Sequence, residues 1–438
     1  MRIIHITPGS GPDFYCENCL RDNALVLALR ALGHDVLMVP LYLPLATDMP
    51  AASGKTPVFF GGINVFLQQK LAFFRKTPRW LDRLFDARPL LKWAAHRAGM
   101  THPEDLGETT LSMLRGEHGR QAKELDRLVE WLAAQHRPDL VCLSNALLLG
   151  MARQIKSRLG VPIACFLQDE DAFLDSLPEP YRHEAWTTVR DHMSDVDALI
   201  PVSRHYAGIV SRRFVPPPDR THVVYPGIDL AAYEPAPEPP DPPAIGFLAQ
   251  MSATKGLDTL VDAFIRLKKR GRVANLKLRV AGGSTSAEET FVAVMREQLA
   301  SAGFAGDVAF ILSPDHKAKQ AFLRSVSVLS VPEKRGEAFA LYVLEALASG
   351  VPVVEPRLGV FPELLDATGG GVLYEPGNVE ALADAIEDLL LDPTRARDLA
   401  ERGRAAVREK FAVERMAADA VRAYEEARRR FVGLREPG

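Results

Sequence analysis

Short apolar runs alternate with stretches of helical periodicity along most of the chain. Ile3-Ile4-His5-Ile6, Asp35 to Leu41, Leu140 to Leu143, Val161 to Leu167 and Val196 to Val202 are too short for core helices. They are apolar on both faces, as strands buried in a parallel sheet are. Between them, Asn23 to Leu32 (stopped by Gly33), Gln121 to His136 and a stretch ending at Leu159-Gly160 read as helices. The alternation restarts at Ala244 to Ala249 and runs through Lys277 to Ala281, Val308 to Leu312, Ser327 to Val331 and Val372 to Tyr374. Helices are expected at Leu257 to Lys268, at Val379 to Leu391 and, highly charged, from Ala396 to about Phe431. Pro235 to Pro243 interrupts the pattern and is too rich in proline for a helix or sheet interior. The expected fold is α/β, with two doubly wound, Rossmann-like domains facing a cleft. The boundaries fall at 1–230 (with a helical insertion at about 51–120), a linker at 231–243, a second domain at 244–412 and a terminal helix at 413–438.

Composition narrows the functional classes. A chain of 438 residues calls for two or three domains, and a net charge of −3 gives no reason to expect nucleic acid as a partner. Met1-Arg2 runs directly into a strand-like segment, and no apolar run approaches the ~20 residues of a membrane span. Four cysteines do not make a disulfide framework, so a cytoplasmic protein is expected. Cys16-Glu17-Asn18-Cys19 lacks the second pair that zinc would want, because Cys142 and Cys165 each lie inside a strand-like run; local packing is expected. Residues 66–100 interleave aromatic residues such as Phe73, Trp80 and Trp93 with eight basic residues, opposed by Asp82 and Asp86 alone. They read either as a helical excursion packed on the domain or as a peripheral contact with the inner face of an anionic membrane or a lipid-linked molecule.

Candidate chemistry gathers where strands end, because ligands of parallel sheets bind at their carboxyl edges. The loop after the first strand carries Gly9, Ser10 and Gly11, but Phe14 stands where a dinucleotide fingerprint would want its third glycine. Gln168 and the acidic Asp169-Glu170-Asp171 end another strand, and Ser203-Arg204 a further one. Gln250 to Gly256, with Lys255, leads from strand to helix. In Pro332 to Val354, Glu337 lies where a helix should begin and Glu345 lies further along it. Ala338, Phe339, Ala340 and Leu341 would then offer unpaired N–H groups to an anionic or hydroxyl-rich ligand. An ordinary helix with an acidic first turn, capped by Gly350, would explain the architecture but not this run of residues.

The residues Glu337, Phe339, Leu341, Glu345, Ala346, Ala348, Gly350, Pro352 and Val353 resemble the E-x7-E signature of glycosyltransferase family 4, with Ala338 and Ala340 at two customary glycines. Lys255-Gly256 resembles the end of the family's G-R-L-x-x-x-K-G turn, with Gln250 at the arginine position. Val223 to Asp229 resembles its V-x-P-N-G-V-D element. The resemblance implies a GT-B architecture whose terminal helix returns to the first domain, anchored by Phe411 and Tyr424. It implies retaining transfer from a nucleotide-diphosphate sugar to a glycan, lipid-linked or small-molecule acceptor, with no metal and no other cofactor. Glu337 would contact the donor sugar, Glu345 the ribose, Lys255 the diphosphate, and Ser313 would lie where backbone reads the base. Arg335 and Arg204 are the cations that would replace the missing arginine. Gly9, Ser10 and Gly11 would face donor and acceptor, and Gln168 stands where a histidine is usual, with Glu170 and Asp171 as substitutes. A non-catalytic sugar-nucleotide sensor and a GT-B sugar-nucleotide epimerase are the alternatives, motivated for the sensor by Gln250, Gln168 and the two alanines.

Overall fold

The computed structural model describes residues 1–9, 17–42, 52, 59–60, 103–214, 217–283 and 286–433. Ser10, Gly11, Cys16 and the basic, aromatic stretch at 66–100 lie outside them. Elements are numbered among the described residues. Contacts divide the chain into two units, residues 1–225 with 417–438, and residues 226–416.

The first unit opens with β1 (Arg2–Thr7), α1 (Glu17–Ala31), β2 (Asp35–Pro40), α2 (Pro103–Leu114), α3 (Ala122–Ala134) and β3 (Leu140–Leu143). It continues with α4 (Ala152–Leu159), β4 (Ile163–Leu167), α5 (Glu170–Asp175), α6 (Tyr181–His192), β5 (Ala198–Pro201) and α7 (Arg204–Phe214). Its five strands lie parallel in the order β2-β1-β3-β4-β5. β3 and β4 are buried at every position, which is why they read as unbroken apolar runs.

The second unit contains β6 (Ala244–Leu248), α8 (Leu257–Arg270), β7 (Lys277–Gly282), α9 (Ser286–Ser301), β8 (Val308–Leu312) and α10 (His316–Leu323). Then come β9 (Val328–Leu329), α11 (Leu341–Ala348), β10 (Val353–Pro356), α12 (Phe361–Thr368), β11 (Gly371–Tyr374), α13 (Val379–Leu391) and α14 (Pro393–Lys410). Its parallel sheet is ordered β11-β10-β9-β6-β7-β8. β6, in the interior, is wholly buried, whereas the edge strand β8 leaves Leu312 61% exposed. The last helix, α15 (Val413–Gly433), crosses the division between the units.

Three expectations need correction. α1 begins at Glu17 instead of Asn23, because Arg21 and Asp22 satisfy one another inside the protein and need no water. α11 begins at Leu341, so Glu337 precedes the helix and its first-turn N–H groups start at Leu341 instead of Ala338. Ala340, at φ −129° and ψ 86°, is outside the helical region. The charged stretch from Ala396 is two helices instead of one continuous run, the second starting at Val413, the expected first residue of the terminal helix. The break between them falls at Phe411-Ala412, where the Phe411 carbonyl accepts from Ile228 N–H at 3.0 Å. Phe411 therefore packs beside Phe339 within the second unit, with ring centroids 6.4 Å apart, while Tyr424 anchors α15 in the first by its hydroxyl on Cys142 Sγ at 3.3 Å.

Candidate functional site

In the second unit β6 lies between β7, the next strand in the chain, and β9, the third strand after it. The chain therefore winds away from β6 in opposite directions, and the loops after β6 and β9 open a crevice at their carboxyl ends. Gly256 brings these loops together. It has φ +75°, and a Cβ there would lie 1.9 Å from the Pro332 carbonyl oxygen, so only glycine fits. The Lys334 N–H donates to the Thr254 carbonyl at 3.0 Å, joining the loops a second time. The Glu333 carboxylate accepts from the N–H groups of Arg335 and Gly336. Beyond it the Glu337 carbonyl accepts from Val360 N–H at 3.1 Å, and a Cβ on Gly359 would stand 2.6 Å from the Glu337 nitrogen. Glu337 is thus held by backbone on both sides before the helix starts.

The two signature carboxylates share one pattern. Glu337 Oε1 accepts from Lys255 Nζ at 2.5 Å and from the Tyr342 hydroxyl at 3.1 Å. Glu345 Oε1 accepts from Lys319 Nζ at 2.6 Å and from the Tyr233 hydroxyl at 2.7 Å. Both glutamates are about 5% exposed, and in each the second oxygen, Oε2, is buried without a hydrogen-bond partner. Buried polar atoms are rarely left in that state, so two acceptors stand ready for donors supplied by a ligand. Further carboxyls surround Glu337. Burial and then the charge of Glu337 push the Glu333 carboxyl up, against the pull of Gly336 N–H and Lys255. Burial pushes Glu355, which accepts from Val331 N–H at 3.3 Å, well above the usual carboxylate range. Both Glu333 and Glu355 are thus raised, by burial first and then by the nearby charge of Glu337.

The other expected donor-side residues lie around this crevice differently. Gln250 spends its amide on Glu288 Oε1 at 2.6 Å. Arg335 is exposed, and its neighbour Lys334 pairs with Asp258 at 2.7 Å. Ser313, at φ 44°, is exposed and donates its N–H to the Gly282 carbonyl at 2.8 Å. Ala338, Phe339, Ala340 and Leu341 are buried, so their side chains fill the core and only their backbone is at issue.

In the first unit, Gly9 follows β1 at φ +77°. Gln168, at the end of β4, is buried and accepts from Arg21 Nη1 at 2.7 Å. Glu170 accepts from Ala146 N–H at 2.8 Å and from the Tyr206 hydroxyl at 2.6 Å, and burial pushes its carboxyl up. Asp171 is half-buried beside it, and Arg204 starts α7 on the exposed face. Among the described residues no group of three or more histidine, cysteine, aspartate or glutamate side chains is arranged to hold a metal ion.

Sequence reasoning missed a polar cluster under the ends of β1, β3 and β4. The fully buried Asp22 accepts from Thr7 and Ser144 hydroxyls at 2.8 and 2.5 Å and from Arg21 Nη2 at 2.7 Å. His5 Nε2 lies 3.2 Å from the same carboxylate. Burial, the largest single effect, would lower the His5 imidazole, but the charge and hydrogen bonding of Asp22 and Cys142 together outweigh it and push the pKa up to about 10. Burial likewise opposes the Asp22 charge, yet Arg21 and His5 hold it well below the usual carboxylate range. The available signal was Arg21-Asp22-Asn23 standing where a helix should face the core. Lys319, Tyr233 and Tyr342 were also missed, because nothing local distinguishes them from solvent-facing or packing residues.

Comparison with known proteins gives a consistent picture. Residues 233–406 match the family model described as glycosyl transferases group 1, and residues 93–232 match that described as glycosyltransferase family 4. The D-inositol 3-phosphate glycosyltransferase of Xylanimonas cellulosilytica is 31% identical over 53% of this chain and 58% of its own. The chain spans between 52% and 69% of the length of the first curated relatives it matches. Sucrose-phosphate synthase from Thermosynechococcus elongatus superposes with a TM-score of 0.70, covering 97% of this chain and 98% of that one at 19% identity. HepE of Anabaena, in complex with UDP, gives a TM-score of 0.69 over 97% and 100% at 15% identity. These likenesses show the fold, which is GT-B. No helix among the described residues is long and apolar enough to cross a membrane.

Proposed function

The chain belongs to glycosyltransferase family 4, and from that premise we propose that it is a retaining enzyme moving a hexosyl group from a nucleotide-diphosphate sugar. The acceptor is a glycan, a lipid-linked saccharide or a small molecule. The observation that carries this reading is the pair of buried carboxylates, Glu337 and Glu345, each neutralised through Oε1 and each with Oε2 open to a hydroxyl donor. Sugars and riboses are hydroxyl donors of this kind. HepE binding UDP supports a nucleotide diphosphate as the leaving group.

The barrier is departure of the diphosphate and formation of an oxocarbenium-like sugar. Lys255, beside the N-terminus of α8, would stabilise the negative charge that grows on the leaving oxygens. Its ammonium has Glu337 as partner before the donor arrives and acquires the diphosphate as a second one. Glu337 would orient the sugar hydroxyls, and Glu345 the ribose. The departing phosphate oxygen can take the acceptor proton, so no separate base is assigned among Glu170, Asp171 and Gln168. The basic, aromatic residues 66–100 support the lipid-linked branch of the acceptor class.

The test is nucleotide release from UDP-, GDP- and ADP-sugars, with and without mixed lipid and oligosaccharide acceptors. Wild type is run beside Glu337→Ala and Lys255→Ala. Acceptor-dependent release from one donor, lost in both variants, is expected. Release of free sugar without acceptor would instead indicate an epimerase-like hydrolysis. Tight binding without release from any donor would indicate a sensor.

A further inference from the structure

We propose that Lys319 and Tyr233 are positioning residues: they fix Glu345 Oε1 so that its buried Oε2 meets a hydroxyl of the nucleotide ribose. The proposal rests on the reading of Glu345 given above and adds residues that neither the signature nor its spacing contains.

The two donors reach one oxygen from separate elements. Lys319 lies in the first turn of α10, its N–H on the Asp315 carbonyl at 2.8 Å, and it is 4% exposed. Tyr233 follows the short turn Leu230–Ala232 and sets its ring edge-on to His316, with centroids 5.9 Å apart. Glu345 itself belongs to α11, every residue of which is buried, so its side chain has no alternative outlet to water. A lysine buried to this degree needs a counter-charge, and a carboxylate so buried needs a cation. The ion pair meets that need with one carboxylate oxygen. The other oxygen is buried and has no partner within the protein, which leaves it as an acceptor for a donor from outside the chain. With Oε1 doubly held, the carboxylate cannot rotate freely, and Oε2 presents its acceptor lone pairs in one direction. Without Lys319 the buried carboxylate would lose its counter-charge and its strength as an acceptor.

The test is calorimetric binding of UDP, GDP and ADP, followed by the 2′,3′-dideoxy counterpart of whichever binds most tightly. Wild type should prefer the ribonucleotide by about tenfold or more, the value of a hydrogen bond to a charged group. In Lys319→Met the preference should fall to within about twofold, with affinity for the dideoxy compound unchanged. Lys319→Arg should recover part of it, and Tyr233→Phe should lose part. With turnover as readout, KM for the donor should rise more than kcat falls. A folded Lys319→Met that keeps the wild-type preference would overturn the positioning role alone. A wild type without any preference would overturn the ribose contact of Glu345 and this proposal with it, while leaving Lys255 and Glu337 to the release assay. Should Lys319→Met fail to fold, Tyr233→Phe and Lys319→Arg carry the same comparison, and wild-type preference in both would overturn the role.

Discussion

Lys255 and Glu337 should be energetically coupled before any donor binds. Their side chains are 23% and 5% exposed and 2.5 Å apart. Removing one partner of a buried pair costs about 3–5 kcal/mol, but Lys255 is partly hydrated, so Lys255→Met should destabilise the second unit by about 2–3 kcal/mol. Glu337→Gln leaves a lysine that can turn to water, at about 1–2 kcal/mol. The double variant leaves no stranded charge and should lose no more than the worse single change, a coupling on the order of 1–2 kcal/mol. All four tryptophans, Trp80, Trp93, Trp131 and Trp186, precede the second unit, so their fluorescence follows the wrong part of the chain. Hydrogen exchange of peptides from 226–416, read against urea, is the suitable assay. Saturation at a hundredfold excess over Kd should add about 2.7 kcal/mol to wild type. In Lys255→Met the same concentration should add at least ~1.4 kcal/mol less, a tenfold loss of affinity. Strict additivity of the two substitutions, within about 0.5 kcal/mol, would refute the pairing and the argument built on it.

How much of this was legible in the sequence depends on whether the cause was local. β4 and β6 announced themselves because strands covered on both faces need apolar residues at successive positions. The residue types at the candidate site were legible too, since Lys255-Gly256 and Glu337 to Glu345 form recognisable local patterns. The start of α11 was not. It is set by Gly359, beyond the far end of the helix, which lets backbone press against Glu337 and holds residues 337–340 out of the helix. Lys319 was invisible for a related reason: on a helix with Lys317 nearby, a lysine reads as solvent-facing until the tertiary fold closes over it. Arg21 and Asp22 broke the apolar face of α1 in plain view. Only the arrival of Thr7, Ser144 and Gln168 from three strand ends shows why they are buried. Local chemistry names the candidates, and the switch point of the sheet decides which of them meet.

The His5–Asp22 contact predicts a pH dependence of the first unit. An imidazole raised to about 10 adds stability that is fully present below its unfolded value of about 6.5 and is lost as pH rises towards 10. The stability advantage of wild type over His5→Gln, followed by tryptophan fluorescence in urea, should therefore shrink between pH 7 and pH 10; a constant difference would refute it. Gln250→Arg addresses the cation missing from the family's turn. The guanidinium would keep Glu288 as a partner, now as an ion pair, and bring a charge-assisted donor to the loop that ends at Lys255. Replacing a neutral donor by a charged one is worth about 1 kcal/mol, so nucleoside diphosphate should bind about fivefold more tightly in the variant, with the gain fading in high salt. Unchanged affinity at low salt would mean that position 250 does not face the diphosphate, and that the charge of the leaving group falls to Lys255 and helix N-termini alone.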